Sequence, residues 1–208
     1  MERKIVLIGG GGHCKSVLDT LFRNKSYDQV VITDNNIPAG TMIMGAEVVG
    51  DDAVLPELLQ NGFKNAFITV GSVKSTRVRH ILYKKIIDAG FDIVNVIDTT
   101  AIVSEHSILG KGIFVGKNAV VNAGATIGDC SIINTGAIIE HECFVGEFTH
   151  ISVNATLCGD VRVGADTLVG AGSTVIQGIE IGNNVIIGAG STVIRNVEDN
   201  SIKYGIVK

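Results

Sequence analysis
The stretch VGADTLVGAGSTVIQGIEIGNNVIIGAGSTV, residues 163–193, repeats itself every six positions. Val163, Val169, Val175, Ile181, Ile187 and Val193 fall in step, and the same step runs back through Leu157, Ile151, Val145 and Ile139 to Ile97. All seventeen positions of the series are Ile, Val or Leu, without a gap. Four residues after each comes a mostly small one, as at Ala119, Ala125, Ser131, Ala137, Ala155 and Ser173. Glycine is frequent one residue after, as at Gly110, Gly128, Gly146 and Gly182. An α-helix turns every ~3.6 residues and cannot keep every sixth residue on one face. A β-helix of hexapeptides can, because each repeat supplies one short strand and one turn.

Before Ile97 the pattern alternates strand and helix. KIVLIG reads as a buried strand, CKSVLDTLFRN as a helix and QVVITD as a second strand. DAVLPELLQNG reads as a short helix with Asp51 or Asp52 as N-cap and Gly62 just past its end. NAFITVG is a third strand, and FDIVNVI a fourth. Between them STRVRHILYKKIIDAG is an amphipathic helix, with Val78, Ile81, Leu82 and Ile86 on one face and Gly90 as C-cap. Alternating β and α with buried strands predicts a small parallel, Rossmann-like sheet with right-handed crossovers. The expected organisation is an α/β domain over residues 1–96, a β-helix over 97–197 and a tail over 198–208.

Composition narrows the function. The net charge is −4 over 208 residues and no Lys/Arg cluster stands out, which disfavours nucleic acid or an anionic membrane as partner. No long apolar run free of turn signals predicts a transmembrane helix, and the four-residue apolar run after MERK is too short for a signal peptide. Cys14, Cys130, Cys143 and Cys158 form no C-x-x-C pair and read as cytosolic thiols. A cytoplasmic enzyme is expected.

Charged groups are rare in the repeat, except in GAIIEHECFVGEFTH, residues 136–150. Ile139 and Val145 belong to the inward series, so His141 and His150 both fall on the outer surface. The repeat resembles the left-handed parallel β-helix of the hexapeptide acyltransferases, in which three hexapeptides form one triangular coil and residues eighteen apart stack. Adjacent coils then pair about 4.8 Å apart. The α/β domain would cap one end of the prism and the tail EDNSIKYGIVK the other. The γ-class carbonic anhydrases share this fold and bind zinc through histidines. Here His106 and His141 are thirty-five residues apart, one short of two coils, and His141 and His150 are nine apart, so such ligands would not converge and no metal is expected. General-base catalysis suits the stretch better. Acyl transfer from a thioester needs a group to take the proton of the attacking amine or hydroxyl, and imidazole is suited to it. Glu142 or Glu140 could accept the other ring N–H and orient the base.

The segments GGGGHCKSVLDTL, INTGAIIEHECFVGEFTHIS, VGAGSTV and IGAGSTVIRNV carry a closer likeness. They resemble the bacterial sugar O- and N-acetyltransferases grouped around the UDP-4-amino-sugar N-acetyltransferase of bacillosamine synthesis and the sialic acid O-acetyltransferases. The resemblance implies His141 as general base, Glu142 as its enhancer and Asn134 at the acceptor amine. It implies acetyl-CoA contacts at His150, at the backbone N–H of Gly159, and at Ala171 and Ala189 along the pantetheine arm. It gives the α/β domain the nucleotide of the acceptor, with Gly11, Gly12 and His13 at the phosphates and Asp34 and Asn35 at the base or ribose. Lys74 could add a cation there. Read instead as a dinucleotide fingerprint, the loop lacks its third glycine, since Cys14 stands there; a tight turn needing glycine for steric reasons is the plainer alternative. The family usually ends in Gly-x-Pro-Ala-Lys, where this chain has YGIVK. The resemblance also implies a homotrimer with sites between subunits. O-acetylation of a sialic acid or another free sugar, or a non-catalytic nucleotide-sugar-binding scaffold, are the other readings.

Overall fold
The computed structural model describes residues 2–71 and 75–208. The chain divides into two units, Met1–Val96 and Ile97–Lys208. In the first, β1 (Lys4–Ile8), β2 (Gln29–Thr33), β3 (Met42–Ile43), β4 (Ala46–Gly50), β5 (Asn65–Ile68) and β6 (Asp92–Ile93) form a sheet in the order β3-β4-β2-β1-β5-β6. The sheet is mixed rather than all parallel, because β3 pairs antiparallel with β4. Met44 and Gly45 between them both have positive φ, as a two-residue hairpin turn demands. Helix α1 spans Gly12–Asn24, α2 Leu55–Gln60 and α3 Arg77–Ala89. Asp51 is the cap of the 3-10 turn Asp52–Val54, accepting from the Ala53 N–H at 2.8 Å.

Two expectations are corrected here. The stretch Phe91–Ile97 is not one strand: β6 belongs to the α/β sheet, and β7 (Val96–Ile97) starts the first sheet of the β-helix. On α3 the buried residues are Arg79, Leu82 and Ile86, whereas Val78 and Ile81 are exposed. Leu82 and Ile86, four apart, define the buried line; Val78 and Ile81 lie to one side of it.

From Ile97 on, each hexapeptide contributes a two-residue strand, and each strand pairs in parallel with the one eighteen residues later. Phe114–Val115 meets Ile132–Ile133, Ile138–Ile139 meets Thr156–Leu157, and Phe144–Val145 meets Arg162–Val163. The result is three sheets, the faces of a left-handed β-helical prism. The first face contains Ile132–Ile133 and His150–Ile151, the second Ile138–Ile139 and Thr156–Leu157, and the third Phe144–Val145 and Arg162–Val163. The inward series and the small corner residues form one continuous core, almost all of it fully buried. Chain turns occupy the three edges. The tail is part of this unit: Ile202–Lys203 pairs with Ile186–Ile187, and Ile206–Val207 with Thr192–Val193.

Candidate active site
Two edges of the prism carry the polar residues singled out in the β-helix. The edge between the second and third faces holds, on successive coils, Ala123, His141, Gly159 and Gln177. His141 is exposed and sits at the start of its turn. Its ring packs along the next coil at the one place where that coil has no side chain. A Cβ on Gly159 would come within 2.6 Å of the imidazole Nε2 and Cε1. Glycine is therefore required at 159 for the ring to lie there. The Gly159 N–H has no acceptor among the described residues, because the corner geometry turns it outward. His141, Gly159, Asp160, Gln177 and Gly178 line an open cleft.

The two acids beside His141 are engaged elsewhere. The Glu140 carboxylate accepts the backbone N–H of His141 at 3.3 Å. The Glu142 carboxylate lies over the bare backbone of Gly124, one coil back. Neither accepts a hydrogen bond from the imidazole. Glu142 does adopt φ +60, in a column where the neighbouring coils have Gly124, Asp160 and Gly178. A glutamate in the left-handed region costs about 1 kcal/mol or more, a cost that points to use. Cys143 does not point outward beside His141, as the sequence suggested, but fills the core at 1% exposure. Its Sγ donates to the Cys158 carbonyl at 3.1 Å, and burial pushes its thiol up to about 11. A thiolate nucleophile next to the histidine is thereby excluded at neutral pH.

The second edge lies between the first and second faces. Asn134 opens one of its turns, and Ala171 and Ala189 stand exposed on it, one coil apart. His150 is on the outer side of the first face, as alternation requires, yet it is buried at 8% exposure rather than open. Its Nε2 lies 3.0 Å from Nδ2 of Asn134, so the amide donates to the ring. The Asn134 Oδ1 accepts from the Thr135 N–H, which fixes the amide's orientation. The structure thus joins Asn134 to His150, and His141 to Gly159, but holds the two pairs on different edges. The second face between them turns only uncharged side chains outward, among them Val120, Ile138, Thr156, Thr174 and Thr192.

In the α/β unit the glycine loop lies at the C-terminal end of the parallel strands, where such sheets bind ligands. Gly9 has φ +109, and a Cβ on Gly10 would meet Ile37 and Ile43, so the chain itself requires both glycines. Gly11 and Gly12 are different: added Cβ atoms there would meet nothing within 4 Å. Gly11 caps α1 without a side-chain hydrogen bond, and no acid stands in the first turn. Asp34 is drawn to the loop. Its Oδ2 accepts the Gly10 N–H at 2.7 Å, and its Oδ1 accepts from Asn36 and Ile37. The Asn35 amide instead pairs with Asp52, which is 4% exposed and also accepts from Thr33 and Lys85. The sequence gave Asp52 only as a possible cap, so this buried acid was missed; an Asp-Asp pair at one helix start was the available signal. His13 begins α1 beside Gly71. Lys74 lies outside the described residues. No group of three or more metal-ligating side chains is found among the described residues.

Residues 4–86 match the PglD N-terminal domain family, and residues 107–141 and 162–195 match bacterial transferase hexapeptide repeats. A mutant of GDP-perosamine N-acetyltransferase from Caulobacter crescentus, solved with CoA and GDP-perosamine, is 35% identical; the match covers 97% of this chain and 93% of that one, with a TM-score of 0.86. The chain belongs to the hexapeptide-repeat sugar N-acetyltransferases. The acetyltransferase domain of PglB from Neisseria gonorrhoeae, solved with acetyl coenzyme A, is 30% identical over 99% of this chain and 97% of that one, with a TM-score of 0.92. Both likenesses run through the α/β unit as well as the prism, so the two-unit plan is that of the relatives. No helix among the described residues is long and apolar enough to cross a membrane.

Proposed function
We propose that this enzyme transfers acetyl from acetyl-CoA to the amine of a nucleotide-linked amino sugar in the cytoplasm, for surface glycan synthesis, with His141 as general base. The observation that carries the reading is the packing of the His141 ring on the bare Gly159 backbone. A proton acceptor and an outward N–H donor then share one cleft. His141 takes the proton of the attacking amine as the C–N bond forms. The Gly159 N–H receives the negative charge that develops on the thioester oxygen, a contribution of about 3–4 kcal/mol for such donors. The imidazolium returns its proton to the departing thiolate sulfur. Asn134, held by His150 at 3.0 Å, positions the sugar amine, and Ala171 and Ala189 leave room for the pantetheine arm. In the α/β unit, Gly11 and Gly12 leave open space at the start of α1, where backbone N–H groups suit the sugar nucleotide's phosphates. Asp34 and Asn35 border that loop and would meet the ribose or base with whatever hydrogen-bonding capacity their internal partners leave. The carrier is either UDP, as the sequence resemblance implies, or GDP, as in the Caulobacter relative. Thiol release from acetyl-CoA with a panel of UDP- and GDP-linked amino sugars tests the reading. Release with free sialic acid alone would move the assignment to O-acetylation.

Glu142→Gln separates the two acids. It is expected to lower kcat by less than about 10²-fold, below the loss of the base itself. Glu140→Gln, which leaves an amide oxygen for the His141 N–H, is expected to act near wild type. The reverse order of effects would assign the supporting role to Glu140.

The assembly follows from the separation of the two edges. Residues needed at one reaction centre, His141 and Asn134, lie on either side of an uncharged face. Packing that face about a three-fold axis parallel to the prism would bring one edge of each copy against the other edge of its neighbour. Light scattering should therefore give three times the 21.8 kDa chain mass. A monomer with full turnover would refute both the trimer and the shared site.

A further inference from the structure
We propose that Tyr204 and Arg195 hold the nucleotide end of CoA, with adenine stacked on Tyr204 and phosphate on Arg195. The inference rests on the acetyl-CoA reading above. Its starting point is the tail, which departs from the family pattern at the end of the prism.

Tyr204 stands between two strands that are both locked into the last coil. Its ring lies over Gly188, so that a Cβ at 188 would run into it, while 71% of the residue remains exposed. One side of the ring is thus backed by bare backbone and the rest faces solvent. Such a ring is already in place for a flat partner, and little side-chain freedom is lost on stacking. It continues the edge that carries Ala171 and Ala189. On the other edge the column His141, Gly159, Gln177 ends at Arg195, in the corner shortened by the Ile181–Val197 bridge. Arg195 is exposed and has no ion pair among the described residues. A guanidinium without a carboxylate partner is suited to phosphate.

The heights agree with the length of the co-substrate. Coils rise about 4.8 Å each, so Arg195 is about 14 Å above His141 and Tyr204 about 17 Å. The pantetheine arm has about thirteen bonds from sulfur to the first phosphorus. At the rise of an extended peptide, about 3.5 Å per three bonds, it spans roughly 15 Å. A thioester held at Gly159 therefore brings its phosphates to the level of Arg195 and its adenine to that of Tyr204. Rotation about an axis parallel to the prism keeps heights unchanged, so the match holds for edges supplied by neighbouring copies.

The test compares acetyl-CoA with acetyl-pantetheine, which lacks the nucleotide, on the full chain. Tyr204→Ala and Arg195→Ala are each expected to raise KM for acetyl-CoA about 10-fold or more, with kcat kept and KM for acetyl-pantetheine unchanged. Tyr204→Phe keeps the platform and should match wild type. Tyr204→Leu keeps bulk over Gly188 without an aromatic face and should behave as the alanine variant, which guards against a loss of fold. Wild-type KM for acetyl-CoA in both alanine variants would overturn the proposal, as would an equal rise for acetyl-pantetheine. Wild-type protein that neither turns over acetyl-CoA nor binds CoA by calorimetry would instead sink the parent reading, and this one with it.

Discussion
His141→Ala lowers kcat by about 10²–10⁴-fold, the range for removing a positioned general base. The fold and the binding of acetyl-CoA are expected to survive. The side chain is exposed, accepts no hydrogen bond, and packs only along the Gly159 corner, so its removal opens no cavity in the core. The main-chain bonds of the residue are untouched by the change: its carbonyl still accepts from Asp160, and its N–H still reaches Glu140. Steady-state rates with a saturating amino-sugar nucleotide, together with calorimetry of CoA binding, separate chemistry from binding. Near-normal turnover would remove His141 from the mechanism. The Caulobacter relative with CoA and GDP-perosamine bound was itself solved as histidine-to-alanine and histidine-to-asparagine mutants, which is consistent with histidine loss leaving ligand binding intact there.

The six-residue period made the prism legible, because inward side chains in a β-helix repeat without tertiary exceptions: from Val115 onward the series is buried throughout. The stacking of Gly159 on His141 was equally legible, as simple addition of eighteen. Gln177 follows by the same addition, yet an uncharged amide in a turn gave no reason to look. The α/β unit was harder to read at its margin. Met42–Ile43 is a two-residue strand, too short for alternation to register, and its turn is Met-Gly rather than the usual Asn-Gly. Apolar character misplaced the buried side of α3, since Arg79 is buried where Val78 and Ile81 are not. His150 shows the limit of alternation: it fixes which way a side chain points, not what covers it. The separation of Asn134–His150 from His141–Gly159 is a property of the coil, and it became visible only when the residues were set on edges rather than along the sequence.

Gly159→Ala is expected to cost about 100-fold in kcat, although alanine adds one methyl and deletes no functional group. Gly159 does not have the positive φ that would make alanine strained there, so the backbone can accept the substitution. The methyl would lie 2.6 Å from Nε2 and Cε1 of the imidazole, well inside contact distance. Two responses are available. The backbone corner is fixed by hydrogen bonds on both sides, from Cys158 to Val175 and from Gly178 to the Gly159 carbonyl, and cannot retreat. The exposed ring can swing into solvent, and this is the cheaper motion. The outcome is a folded protein whose base has left its place while the N–H at 159 remains. Stability should change by less than about 1 kcal/mol, since no buried group is displaced. The expected signature is a fall in kcat with KM for acetyl-CoA and melting temperature nearly unchanged. Ala123, the preceding residue of the same column, provides the control. Ala123→Gly removes a methyl on the side of His141 away from Gly159 and should leave turnover within a few-fold of wild type. If Gly159→Ala turned over at the wild-type rate, the ring would not need its seat on the bare backbone, and the catalytic geometry derived from that contact would fail even if His141 itself proved essential.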